Sequence, residues 1–174
     1  FPTRRSSDLY LDLIEKRYSV RAYKSDCVEE EKLNKILKAA LLAPTAHNTQ
    51  AFKIVVINTK EHKDELKKIY PSPFFTQAPI VLGIFSIPEE SWVRKDGKNY
   101  GDVDAAIVMD HIVMQATALG LGTCWIANFD SIAASEIIGL GKGFEPIAFT
   151  PIGYAEPKDV KKIRKTLEEI VVYL

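Results

Sequence analysis

The sequence predicts a single domain of mixed helices and strands, and three observations lead there. The chain has 174 residues, 47% of them hydrophobic, which is enough for one sizeable core. Segments with apolar residues at helical spacing alternate with short, near-continuous apolar runs of strand length. No internal repeat, low-complexity tract or linker divides the chain.

Taken in order, Leu11, Leu13 and Ile14 suggest a short helix over Tyr10–Arg17 that stops at Tyr18-Ser19. A second helix begins after Val28. Glu29 to Glu31 sit at its positive end, and Leu33, Ile36, Leu37, Ala40 and Leu41 keep helical spacing until Pro44. The polar loop Thr45-Ala46-His47-Asn48-Thr49-Gln50 leads into a strand at Phe52–Ile57. Lys60–Tyr70 reads as a charged surface helix, Pro71 to Pro79 as a loop, and Ile80–Ile87 as a buried strand. Pro88–Tyr100 is a polar loop with a turn at Asp96-Gly97, and Asp102–Leu119 is the longest helix. Strands follow at Thr123–Ala127 and Ile147–Gly153 around a helix near Ser131–Ile138, and the apolar tail Leu167–Leu174 suits a docked strand.

The longest helix carries more information than the others. Asp104, His111 and Gln115 share one narrow stripe, and nearly everything else from Val103 to Leu119 is apolar. A helix lying on one face of a monomer needs a wider polar side. Packing of this helix against a second copy accounts for the pattern, so a homodimer is expected.

Bulk properties exclude several classes. Charge is balanced, 23 basic against 23 acidic residues, so no field draws nucleic acid or an anionic membrane. No apolar run reaches the roughly 20 residues of a membrane helix. Cys27 and Cys124 lie far apart and are expected to be reduced thiols of a cytoplasmic protein. Phe1 to Leu9 has no apolar region of a signal peptide and reads as an expression or assembly scar. Residues 10–174 are taken as the domain.

Four motifs carry possible chemistry. In Lys16-Arg17-Tyr18-Ser19-Val20-Arg21, two arginines flank a hydroxyl at a helix end. Guanidinium forks suit phosphate oxygens, although a helix end complementing its own dipole would look the same. The loop from Pro44 to Gln50 offers Asn48 and Gln50, whose amides donate and accept as the edge of a flavin's pyrimidine ring requires. An ordinary polar loop is the alternative. Gly120-Leu-Gly-Thr runs from helix into strand, the wrong order for a phosphate-cradling loop, so Gly120 reads as a helix C-cap. Gly139 to Gly143 fails the same tests. Lys161 to Lys165 reads as a solvated basic face. His47, His62 and His111 match no metal spacing, and no nucleophile elbow is present. Asp102 and Asp104 read as caps, and Cys124-Trp125 as core. With no side-chain acid, base or nucleophile in evidence, a cofactor that brings its own chemistry is expected.

Taken in order, the segments KRYSVRAY (16–23), LAPTAHNTQAFKIVVI (42–57), DGKNYGDVDAAIVMDH (96–111), LGLGTCWIANFD (119–130), EPIAFTPIGYAEP (145–157) and RKTLEEIV (164–171) resemble the FMN-dependent nitroreductase family in its short form. The resemblance runs from about Tyr10 to the C-terminus. It implies an α+β fold, a three-layer α/β/α sandwich with a mixed, mostly antiparallel sheet, dependent on dimerisation. It also implies that Arg17, Tyr18, Ser19 and Arg21 hold the FMN phosphate and ribityl chain, with Arg164 and Lys165 adding phosphate contacts. Pro44, Thr45, Ala46, Asn48 and Gln50 would reach the flavin of the other subunit. Ile126, Ala127 and Asn128 would lie beside the isoalloxazine ring. The tail Ile170–Leu174 would add a strand to the partner's sheet.

The implied activity is transfer of hydride from NAD(P)H to nitroaromatic or quinone-like acceptors by a ping-pong cycle. In it the flavin N5 carries the chemistry and no side chain is catalytic. Phe74, Phe75 and Trp92 are candidate pocket residues. Ala51 stands where relatives commonly carry proline, and Leu42 where many carry arginine. No lysine lies between Tyr70 and Pro79, which leaves Arg21 to balance more of the charge on reduced flavin. Two alternatives share the fold: a flavin enzyme specialised for O2 or reductive dehalogenation, and a binding domain that has lost FMN. The misplaced glycines argue against a third, a nucleotide-binding α/β protein.

Overall fold

A computed structural model describes residues 6–174, with side chains from Leu9 onward. Six helices are described: α1 (Ser6–Lys16), α2 (Glu30–Leu41), α3 (Lys63–Ile69), α4 (Gly101–Ala118), α5 (Ser131–Ile138) and α6 (Leu167–Ile170). Four strands, β1 (Phe52–Asn58), β2 (Ile80–Ser86), β3 (Gly122–Thr123) and β4 (Glu145–Gly153), form one sheet in the order β1-β2-β4-β3. Every strand pair is antiparallel. Among the described residues, the one parallel element is a bridge from Ser19 to Thr123 on the outer side of β3.

Period-two alternation along the central strands splits the core into two layers. Val81, Phe85 and Phe149 face Leu66 and Ile69 of α3 and Ala134 of α5. Leu82, Ile84, Ala148 and Ile152 face Ile36 and Ala40 of α2 and the inner side of α4. The result is the expected three-layer sandwich, with α4 packed against the sheet at its centre.

The expected elements recur with shifts that have local causes. The first helix starts at Ser6, so part of the segment set aside as a scar is helical, while residues 1–5 lie outside the described chain. Asp130 caps α5, its carboxylate accepting from the Ala133 amide at 2.9 Å. Gly120, at φ +77°, closes α4: the Leu121 amide returns to the Ala116 carbonyl and the Gly120 amide to that of Thr117. That is the left-handed helix stop expected of it.

The strand expected at Thr123–Ala127 is shorter, because the Cys124 amide turns to the Thr150 hydroxyl and only Ile126 rejoins β4, opposite Phe149. The tail is not a docked strand in this chain. Leu167–Ile170 forms one helical turn, and Val172, Tyr173 and Leu174 stand exposed. Asp104 departs from the expected polar stripe as well, since it is 2% exposed, whereas Asp102 and Asp110 face solvent.

Among the described residues, no helix is long and apolar enough to cross a membrane.

Candidate functional site

The segment from Arg17 to Lys24 follows directly on the C-terminal end of α1, where the Arg17 amide donates to the Leu13 carbonyl. It then runs along the β3 corner of the sheet. The Val20 amide donates to the Thr123 carbonyl at 2.8 Å, and the Lys24 amide to the Tyr154 carbonyl at 2.8 Å. Close approach depends on Gly122, because a Cβ there would lie 2.7 Å from the Val20 side chain. A hollow of about 280 Å³ opens over Tyr18, Ser19 and Arg21, closed on its other side by residues 156 and 158–161.

Cations converge on this corner. Partial burial and the charges of Arg17 and Arg164 lower the Lys162 ammonium, so the three groups feel one another across nearly 150 residues of sequence. The Lys162 ammonium also donates to the Ile14 carbonyl at 3.4 Å, and Arg164 donates to the Ile163 carbonyl at 2.7 Å. Burial pushes the Cys124 thiol up, opposed by Arg21, a hydrogen bond with Ser19, and Arg17. Ser19 and Arg21 line the hollow, and Arg17, Lys162 and Arg164 lie close enough to act on the charges beside it.

Among the described residues no carboxylate forms an ion pair with any of the four cations. Glu156 and Asp159 line the same hollow and Glu15 acts on Lys162, so the cations are countered only at a distance, and an anion bound there would gain charge-assisted hydrogen bonds from them. Lys162 is the residue the sequence reading missed in favour of Lys165, which no contact ties to the cluster. The Lys-x-Arg spacing of 162 and 164 was the available signal.

The loop expected to read a flavin edge lies elsewhere. His47, Asn48 and Gln50 all have positive φ, near 52°, 55° and 51°. Left-handed backbone at non-glycine residues costs about 1–3 kcal/mol each. Three contacts offset it: the Ala46 amide to the Asp104 carboxylate at 2.9 Å, the Gln50 amide to the Thr45 hydroxyl at 3.1 Å, and a 5.2 Å stack of His47 on Trp92. Pro44, Asn48 and Gln50 are exposed and Thr45 and Ala46 half-buried. Trp92 also packs edge-on against Tyr100. The expected capping role falls to neither Asp102 nor Asp104, because Asn99 accepts from the Gly101 amide at 2.8 Å.

Two groups of expected residues divide on burial. Ala127 and Asn128 are exposed beyond β3 while the Ile126 side chain is in the core. Phe74 and Phe75 pack in the core with Tyr70 and Phe149, which leaves Trp92 as the expected pocket aromatic that reaches the surface.

The cation corner and the loop occupy diagonal corners of the sheet. The loop precedes Phe52, which pairs with Ser86, whereas β3 pairs with β4 where Ile152 faces Ile80. Six residues along β2 and three strand spacings separate them, on the order of 20 Å. A larger hollow, about 640 Å³, coincides with neither corner and lies beside β1, at Val56 and Asn58. Its lining holds Lys60 and Lys63 but no cluster of functional groups, so donor chemistry rather than size marks the site.

The model of the nitroreductase family matches residues 14–72 and 67–154. The chain belongs to the nitroreductase family. That membership places it among oxidoreductases. A nitroreductase family protein from Clostridium difficile has a crystal structure that superposes with a TM-score of 0.87, at 36% identity over 94% of this chain and 96% of that one. A Thermus thermophilus protein named NADH dehydrogenase is 25% identical over 91% of this chain and 92% of its own length. An NADPH-dependent oxidoreductase of Staphylococcus aureus is 25% identical, and there this nitroreductase-family chain spans 66% of the relative's length.

Proposed function

We propose that this protein binds FMN at a site shared by two copies of the chain and uses it to reduce nitroaromatic or quinone-like acceptors at the expense of NAD(P)H. The observation that carries the reading is the corner where Ser19 and Arg21 line a hollow, with Arg17, Lys162 and Arg164 close by and, among the described residues, none of these cations in an ion pair. Such a donor set fits a phosphate dianion. A hollow of about 280 Å³ suits that end of FMN but falls below the usual range for a whole ligand. The remaining contacts come from the partner's loop, where Asn48 and Gln50 are turned outward and find no ligand within their own subunit's cation corner.

When bound, FMN supplies the two-electron hydride chemistry for which the protein has no side-chain equivalent. The chain's own residues bind and orient. Arg17, Arg21, Lys162 and Arg164 neutralise the phosphate, and Ser19 donates a hydrogen bond to it. Tyr18 lies beside the ribityl chain. Ala127 and Asn128, with the Ile126 backbone, lie beside the ring. The partner's Asn48 and Gln50 amides meet the pyrimidine edge, with Pro44, Thr45 and Ala46 shaping their loop. Trp92 would wall the space that the nicotinamide and the acceptor share in turn, as a ping-pong order requires. Similarity to relatives named NADH dehydrogenase and NADPH-dependent oxidoreductase supports a nicotinamide donor.

The test is a visible absorption spectrum of the purified protein, followed by anaerobic addition of NADH or NADPH. Flavin bands that bleach on addition are expected. A flavin that stays oxidised would shift the assignment to specialised flavin chemistry on the same fold. A colourless protein that takes up no added FMN would end the site assignment.

A further inference from the structure

We infer that Asp104 is a positioning residue for the flavin, holding the loop of residues 45–50 from beneath in the left-handed conformation that presents Asn48. The inference rests on the reading above, in which that loop contacts FMN. Between the buried Ala43 and Ala51, no residue of the loop is buried, so apolar packing does not hold it. Among the described residues, one ring stack and one hydrogen bond reach it from outside: His47 on Trp92, and the Ala46 amide to Oδ1 of Asp104 at 2.9 Å.

Asp104 does not cap its own helix. At the start of α4 the Gly101 amide is taken by Asn99. The second carboxylate oxygen, Oδ2, is buried and has no partner. A buried carboxylate with one donor is costly, and the positive end of α4 offsets part of that cost. The arrangement makes sense if the acceptor's purpose is to fix the loop. The partner of Asp104 is the backbone amide of Ala46, the residue just before the left-handed His47 and Asn48, so losing the bond frees the whole loop rather than one side chain.

The experiment uses the full chain and measures FMN affinity by flavin fluorescence and the shape of the bound flavin's visible spectrum, with N48A, D104A, D104N and the double variant D104A/N48A. D104A is expected to weaken FMN about tenfold or more, the scale of a lost hydrogen bond to a charged group. D104N keeps an acceptor oxygen and is expected to stay within about threefold. The double variant is expected to lose clearly less than the sum of the two single losses, since coupled groups are not additive.

Should D104A fail to fold, A46P removes the same bond from the surface side. Thr45 lies at φ −129°, ψ 156°, which tolerates a following proline, and A46P should reproduce the tenfold loss. Unchanged FMN affinity in a folded D104A or A46P, with N48A weakened, would overturn the positioning role. So would full additivity in the double variant. Unchanged affinity in N48A itself would instead remove the loop from the flavin site, and the inference with it.

Discussion

At the scale of single residues, Arg17 is the most exacting test of the site. It stands where α1 ends, senses Lys162, and helps hold down the Cys124 thiol that burial raises. The dipole alternative explains an arginine at a helix end, but not its meeting with Lys162 and Arg164 from the far end of the chain. Arg17→Ala is expected to lower FMN affinity by about 1.5–3 kcal/mol, the range for hydrogen bonds to charged groups, with little change in melting temperature. A variant that purifies with a full complement of flavin would show that the phosphate lies elsewhere. Cys124 provides a second test without flavin. It is 2% exposed and its thiol is raised first by burial, and only the thiolate alkylates. Iodoacetamide at mildly alkaline pH should leave Cys124 unmodified in the native protein and modify it in denaturant, as peptide mass spectrometry would show. Labelling of native Cys124 would mean that this corner opens in solution. Both residues were legible in sequence as types, whereas Lys162 left only its Lys-x-Arg spacing as a signal, because its role comes from nearness to Arg17, far away in sequence.

At the scale of elements, α2, α4 and α5 were legible because each combines helical periodicity with a terminal signal: acidic residues at the start of α2, Gly120 after α4, and Asp130 before α5. The β3 region and the tail were not. Thr123–Ala127 and Leu167–Leu174 have strand-like composition, yet whether a strand forms depends on a neighbouring edge that only the tertiary structure, or a second chain, supplies. Asp104 was misplaced for a related reason: spacing fixed its stripe on α4 but not what covers that stripe. Docking of the Ser19–Arg21 segment on β3 also depends on something local sequence does not reveal. Gly122 leaves the space that the Val20 side chain fills. Gly122→Ala forces a 2.7 Å contact and is expected to cost about 1–3 kcal/mol of stability. It should also weaken FMN disproportionately, because the displaced segment carries Ser19 and Arg21. Thermal melts with and without FMN separate the two effects. Stability lost with flavin affinity intact would show that the segment's exact position does not matter for binding.

At the scale of the whole molecule, the two halves of the proposed site are too far apart in one chain to touch one flavin, and the exposed apolar surface suggests how two chains meet. Leu9, Tyr10, Leu11 and Ile14 of α1 are each more than 40% exposed, and the tail from Val172 to Leu174 more than 80%. Val103, Ala106, Ile107 and Met114 leave one side of α4 only half covered. In the proposed dimer this apolar surface is where a second chain would pack, and β1 retains an open edge on which an extended tail can pair. If the site is split between subunits, flavin binding and dimerisation are linked by mass action. Diluting the protein at fixed FMN should then release flavin as dimers dissociate, and FMN should in turn lower the concentration at which dimers persist. Removing Val171 to Leu174 should move both transitions to higher protein concentration together. Sedimentation and flavin fluorescence on the same dilution series read the two curves. Coincident curves mean that each flavin needs both chains. Flavin that stays bound to a sedimenting monomer means that one chain completes the site by itself, and the loop carrying Asn48 then has some other purpose.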